Sequence, residues 1–207
     1  MDKFTQDTIA TYDRTCEQYT KNVANLHHSE VAGTFLEHIA KNDAILDLGC
    51  GSGRDAKIFS EKGYEVIGID LSNKLLEIAQ KEAPLTNFRQ MDMRELMFEN
   101  EIFGGVWAVA SLLHLPKKDI PRCLNECNRV LKKEGIIYIG VKVGEGEEFK
   151  PDTRYAEDAL KFYSYFQPEE MENYIKQAGF KILESQTKEC FKHYLQHNEI
   201  RIFGIKE

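Results

Sequence analysis

Over residues 43–143, short apolar runs and helix-patterned stretches alternate without a break. Residues 44–48, 64–69, 105–110 and 136–143 read as strands, apolar enough to be buried on both faces, with 87–91 a weaker strand among them. Helices are expected over 54–62, closed by Gly63, from the cap Ser72 through Lys81 with Pro84 beyond, and over 118–133, stopped by Gly135. Such alternation requires right-handed crossovers, and so a parallel sheet with helices on both faces.

The flanks differ. Ile9, Tyr12, Cys16, Tyr19 and Val23 recur at spacings of three and four, which predicts an opening helix with these side chains on one stripe. A second helix follows the cap Ser29, with Val31, Phe35 and Ile39 on its inner face. After the last parallel strand, 144–151 is polar, carries Glu145, Glu147 and Glu148, and reads as a solvated loop. A helix over 169–178 starts behind Pro168 and ends at Gly179. Residues 180–190 and 200–205 read as an antiparallel pair at the sheet edge. The 207 residues fit one domain. Within it, 1–42 form cap helices, 43–143 the core, and 144–207 the outer loop, helix and terminal strands.

Charge and cysteine usage narrow the partners. Lys plus Arg number 27 against 34 Asp plus Glu, a formal net charge of −7. Nucleic acid is an unlikely partner, because the only basic clusters are the pairs Lys117–Lys118 and Lys132–Lys133. No run approaches the roughly 20 apolar residues of a membrane span, and the start carries no apolar leader. The five cysteines, at 16, 50, 123, 127 and 190, are odd in number and lack a C-x-x-C pair, which suits a reducing compartment such as the cytoplasm. Cys123 and Cys127 lie one helical turn apart, but nothing at zinc spacing completes a site, so they read as buried thiols and no metal is expected.

The sharpest motif runs from Leu46 to Asp55, Leu-Asp-Leu-Gly-Cys-Gly-Ser-Gly-Arg-Asp, between a strand and a helix. Its glycines permit unusual backbone angles and close approach of a ligand, and the helix start presents amide N–H groups. Gly51, Gly53 and Ala56 fit the dinucleotide pattern G-x-G-x-x-A, with Asp70 at a suitable distance. Against that reading, the loop begins earlier, at Gly49, and the Asp47 carboxylate just ahead would repel a pyrophosphate and attract an amino group.

Asp47 to Gly53 resembles the first motif of the class I S-adenosylmethionine-dependent methyltransferases, small bacterial enzymes of the tellurite-resistance and quinone-biosynthesis grouping included. Four further stretches are similar to that family in register: 68–72, 88–93, 110–115 and 130–135, the last with Glu134 where proline is frequent. The resemblance implies a Rossmann-like α/β sandwich, with a mostly parallel seven-stranded sheet and an antiparallel C-terminal edge hairpin. It implies S-adenosylmethionine as cofactor and S-adenosylhomocysteine as product. Asp70 would hold the ribose hydroxyls and Asp92 would accept from the adenine amine, with Leu71 and Met93 covering the ring. Asp47, Gly49, Cys50, Gly51 and Gly53 would pass close to the methionine part. Ala110 and Ser111 would follow the fourth strand, and Tyr12 and Tyr19 would close over the cofactor or pack in the core.

Ligands of open parallel sheets bind beyond the strands' carboxyl ends. The acceptor candidates there are Ser111, His114, Lys142, Glu145, Arg154 and Tyr155, with the aromatics Phe162, Tyr163, Tyr165 and Phe166 as pocket wall or core. Phe162 and Phe166 share a face if that stretch is helical. Of these, His114, Lys142, Tyr155 and Tyr165 are the expected catalytic set. His114 either takes a proton from the acceptor or only shapes the pocket, and Lys142 either orients an anion or reaches solvent. The leading expectation is methyl transfer to a small-molecule acceptor by a monomer or homodimer. A tRNA or protein methyltransferase working with a partner, and a non-catalytic cofactor-binding or scaffolding protein, stay open beside it.

Overall fold

The computed structural model describes residues 2–24, 26, 28–192 and 195–207, with the side chains of 29, 190–192 and 195–197 outside that description. Two helices, α1 (Lys3–Val23) and α2 (Ser29–Glu37), precede an alternating core. The core comprises β1 (Ala44–Leu48), α3 (Arg54–Glu61), β2 (Val66–Asp70), α4 (Asn73–Glu82), β3 (Asn87–Gln90), β4 (Phe103–Val109), α5 (Ile120–Val130) and β5 (Leu131–Lys142). A short hairpin, β6 (Glu147–Pro151) and β7 (Leu160–Ser164), leads to α6 (Pro168–Gln177) and the long strands β8 (Phe180–Lys192) and β9 (Leu195–Lys206).

Seven strands form one sheet in the order β3-β2-β1-β4-β5-β9-β8. The first five pair in parallel, and β9 and β8 add antiparallel at the edge. This is the Rossmann-like architecture expected from the sequence. The two-residue period of each strand splits the core between the sheet's faces. Leu46, Leu48, Val106, Ala108, Ile137 and Ile139 pack beneath α5 and α6, where Cys123 and Cys127 are fully buried. Ile45, Trp107, Ile136 and Tyr138 pack under α2 and α3 on the other face. The chain reverses at β1, which has β2 on one side and β4 on the other, and a crevice opens beyond the carboxyl ends of these strands.

Four local expectations are corrected. The helix expected over 118–133 is shorter, because Leu131 turns extended (φ −71°, ψ 140°) to pair with Phe103 in the sheet. The turn that follows places Glu134 at φ 61°. The second helix begins at Ser29 with His28 at its cap position, rather than being capped by Ser29. The polar segment 144–151 is not all loop, since Glu147–Pro151 pairs with Leu160–Ser164 in a separate two-stranded sheet. Phe162 therefore lies in a strand and does not share a helical face with Phe166. Lastly, the fully buried side of α1 is threonine-rich, with Thr5, Thr8, Thr11 and Thr15 turned inward. The Thr11 hydroxyl donates to the Leu160 carbonyl at 2.8 Å, and the Thr8 hydroxyl accepts from the Phe162 amide at 3.1 Å. Those bonds fasten α1 to β7 and leave Ile9, Tyr12 and Tyr19 on the adjoining face, over the crevice. Among the described residues, no helix is long and apolar enough to cross a membrane.

Candidate active site

The glycine loop forms the floor. Gly49, Gly51 and Gly53 have φ of 76°, 54° and 79°, a region that L side chains rarely adopt. A Cβ on Gly49 would overlap Ser111, and one on Gly51 would come within 2.8 Å of the Tyr19 hydroxyl. Both positions thus keep a cradle open between loop, α1 and the end of β4. Gly53 serves packing instead, because a Cβ there would meet Ala79 at 2.9 Å and Phe88 at 3.0 Å. At the end of β2, one Asp70 oxygen accepts the Gly51 amide at 2.9 Å and the other accepts the Ser72 amide, also at 2.9 Å. Burial raises the Asp70 carboxyl above its ordinary value, while these two amides favour its anion.

The cleft above encloses about 740 Å³ of empty space up to its open mouth. Of the expected cofactor residues, Tyr12, Tyr19, Gly49, Gly51, Asp70, Leu71, Met93, Ala110 and Ser111 line it, and so does His114. Four do not. Gly53 packs as described. Cys50 is buried against the loop, where burial and the nearby Asp47 push its thiol pKa up. Asp47 alternates to the α2–α3 face with Ile45, and burial plus the neighbouring Asp55 raise its carboxyl well above the carboxylate range. Asp92 is engaged by Arg94, which donates from Nε at 3.0 Å and from Nη2 at 2.7 Å and also binds Asp2 and Asp119. Asp92 is thus absent from the cleft lining, and Arg94 holds its carboxylate in an ion cluster beside the lining residues Met91 and Met93. The sequence reading missed Thr5, Thr8, Ile9 and Leu75 as cleft walls. The buried Ser111 hydroxyl has no protein partner among the described residues, in a side chain that lines the cleft. The open cradle, this orphaned hydroxyl and the held carboxylate fit an elongated ligand bearing vicinal hydroxyls.

A second chamber, about 900 Å³ out to its open mouth, adjoins the cleft and shares Tyr12, Tyr19, Val109, Ala110 and His114 with it. It brings together the expected acceptor residues His114, Lys142, Arg154, Tyr155 and Tyr163. Tyr165 does not line it, since its hydroxyl turns away to Glu148 at 3.0 Å. Glu145 is exposed.

Hydrogen bonding fixes the tautomer of a neutral His114. Nδ1 lies 2.8 Å from the Phe162 carbonyl, which can only accept, so Nδ1 carries the proton. Nε2 is then the acceptor for the Tyr12 hydroxyl at 2.9 Å. Burial lowers the imidazole pKa to about 3, helped by repulsion from Lys161 and Lys142. The ring is therefore neutral at neutral pH.

Lys161 was missed. It is wholly buried on β7, with Nζ 3.8 Å from the Tyr12 ring centre, 3.6 Å from that of Tyr155 and 3.6 Å from an Asp152 oxygen. Burial lowers its pKa to about 7. The signal was the alternation Lys161-Tyr163-Tyr165, legible only if this stretch is read as a strand. Lys142 lies 4.2 Å over the Tyr163 ring, and burial together with Arg154 lowers its pKa to about 8.

A parallel sheet ending in a glycine cradle, with a carboxylate one strand over, defines a nucleoside-cofactor enzyme of the α/β class. The methyltransferase domain model matches residues 46–139. The chain is 32% identical over 172 residues to YqeM of Bacillus subtilis, which carries a methyltransferase assignment, covering 79% of this chain and 68% of that protein. It spans about half the length of further curated relatives. A solved S-adenosylmethionine-dependent methyltransferase of Methanosarcina mazei superposes with a TM-score of 0.76 at 22% identity, covering 84% of this chain and 96% of that one. The Burkholderia thailandensis 1,6-didemethyltoxoflavin-N1-methyltransferase, solved with 1,6-didemethyltoxoflavin and S-adenosylhomocysteine, gives 0.74 at 22% identity, over 98% and 86% of the two chains. The chain belongs to the class I S-adenosylmethionine-dependent methyltransferases, and S-adenosylmethionine is its cofactor.

Proposed function

We propose that the protein methylates a small-molecule acceptor held in the chamber beside the cofactor cleft. The observation that carries this reading is the shared wall. Tyr12, Tyr19 and His114 face both spaces, so a ligand in the chamber abuts one in the cleft. The chamber is roofed by α1 and β7, which suits a compact acceptor better than a nucleic-acid strand. The 1,6-didemethyltoxoflavin-N1-methyltransferase, similar in fold and solved with a small molecule beside S-adenosylhomocysteine, supports an acceptor of that kind.

The cofactor, when bound, supplies an activated methyl group on a sulfonium centre. Asp70, held by two backbone amides, is placed to accept ribose hydroxyls, and Leu71 and Met93 to cover the base. Ser111 offers its hydroxyl to the ligand at the cleft floor. Tyr12 and Tyr19 exclude water from the boundary, which aligns reactants and lowers the barrier to displacement. Neutral His114 holds Tyr12 through Nε2 and orients it, while Lys142 and Tyr155 face the acceptor. Residence in the cytoplasm belongs to the same reading, since Cys16, Cys50, Cys123 and Cys127 are free thiols.

Incubation with methyl-labelled S-adenosylmethionine and a cell extract tests the proposal. Label recovered in the low-molecular-weight fraction is expected. Label confined to RNA or protein would overturn it.

A further inference from the structure

The chamber is more cationic than the molecule around it. The chain has a net charge of −7, yet Arg54, Lys142, Arg154 and Arg201 line the chamber, with Glu199 the only carboxylate among its described walls. Each arginine has a carboxylate beside it: Asp55 for Arg54 at 2.7 Å, Asp152 for Arg154 at 2.6 Å and Glu199 for Arg201 at 2.7 Å. Lys142 has no ion pair within 4 Å among the described residues; its Nζ lies over the Tyr163 ring, and Asp152 favours its charge only from farther away. Behind the wall, buried Lys161 adds a further cation that must share Asp152 with Arg154. Two lysines therefore exceed the three carboxylates that hold the arginines. The strain is felt by three groups, since Arg154 disfavours charge on both lysines and the lysines disfavour it on His114.

We propose that the acceptor carries a carboxylate that docks on Lys142 Nζ, with its body against Tyr12, Tyr155 and Tyr163. This rests on the reading of the chamber as the acceptor site. A monoanion matches the surplus, because one lysine Nζ is a point donor. A phosphate dianion calls for more donors, and the chamber's arginines are already engaged by carboxylates. A neutral acceptor would leave the lysine charge uncompensated, and a cationic one would be repelled.

The probe is salicylate, with salicylamide as its neutral counterpart. Each is titrated calorimetrically into the whole protein saturated with S-adenosylhomocysteine. Salicylate is expected to bind at least about tenfold more tightly than salicylamide, the factor for one charge-assisted hydrogen bond. Lys142→Gln should bring the two within about twofold of each other, while Lys142→Arg keeps the preference. In the wild-type protein, the labelled Lys142 Nζ resonance should shift with salicylate and not with salicylamide, which decides the matter should the glutamine variant fail to fold. Equal binding of the two probes, no salicylate binding at millimolar concentration, or a preference that survives Lys142→Gln would overturn the proposal. Failure to bind S-adenosylhomocysteine in the same cell would instead sink the reading of the cleft.

Discussion

The Tyr12 hydroxyl donates to His114 Nε2 at 2.9 Å across the boundary between the two cavities. The ring is fixed from behind by the Phe162 carbonyl on Nδ1, so one hydrogen-bonded chain links α1, the turn after β4, and β7. A neutral histidine in that chain makes stability depend on pH. The folded pKa, about 3, lies below the ordinary 6.5, so the stabilisation is complete above pH 6.5 and is lost as pH falls toward 3. By about pH 5 the loss amounts to at most about 2 kcal/mol. Urea denaturation at neutral and mildly acid pH checks this. His114→Asn should flatten the difference, and an unchanged slope would show that the imidazole charges freely in the folded protein.

Asp70 touches the cofactor cleft and the loop at once. Asp70→Ala removes a charged acceptor, and cofactor affinity should fall by about 1.5–3 kcal/mol. It also frees the Gly51 and Ser72 amides, so Asp70→Asn, which keeps one acceptor oxygen, should retain more of the fold than of the affinity. Calorimetry against S-adenosylhomocysteine, paired with a thermal melt, separates the two effects. Full affinity in the alanine variant would mean the ribose binds elsewhere.

Gly51 tests the cradle. Alanine there is strained by about 1–2 kcal/mol in its left-handed backbone, and its methyl group meets the movable end of Tyr19. The fold should survive while Tyr19 is pushed over the cleft. Cofactor binding should therefore fall by tenfold or more, for a melting temperature lowered by only a few degrees. The reverse outcome, intact binding and a collapsed fold, would make Gly51 a packing glycine like Gly53.

The sheet and its order were legible because buried parallel strands are unbroken apolar runs, and Leu46, Val106 and Ile137 sit in such runs. The floor of the cleft was legible for a related reason. Glycines at fixed spacing and an acid closing the next strand are local signals, and Gly49, Gly51 and Asp70 needed no tertiary information. The roof was not. Glu147–Pro151 carries two glutamates and a lysine around Phe149 and lacks an apolar run, so its strand character is set by the returning Leu160–Ser164 and not by its own pattern. The threonines of α1 lie off its apolar stripe, and only the fold brings a β7 carbonyl and amide to Thr11 and Thr8. The grip of Arg94 on Asp92, two residues away, has no distinctive spacing to announce it.

Lys161 gives the last prediction, since it concerns a residue that stability alone would not retain. Its Nζ is wholly buried and makes no hydrogen bond among the described residues, and its pKa falls from 10.5 to about 7. The fold thus disfavours the ammonium. That destabilisation is complete below about pH 7 and fades as pH rises toward 10.5. Lys161→Met fills the same space among Tyr12 and Tyr155 without a charge, and Arg154 remains to pair Asp152. The variant should be more stable by about 1 kcal/mol or more near neutrality, with the gain shrinking in alkali. Methyl transfer should decline at the same time, because the lysine packs beneath both tyrosines that face the acceptor, and stability gained at a working site commonly reduces activity. Denaturation at neutral and alkaline pH, set beside turnover, reads both. A less stable variant would mean that the ion pair with Asp152 outweighs the burial of the amine. A more stable one with full turnover would make Lys161 a bystander to the chemistry.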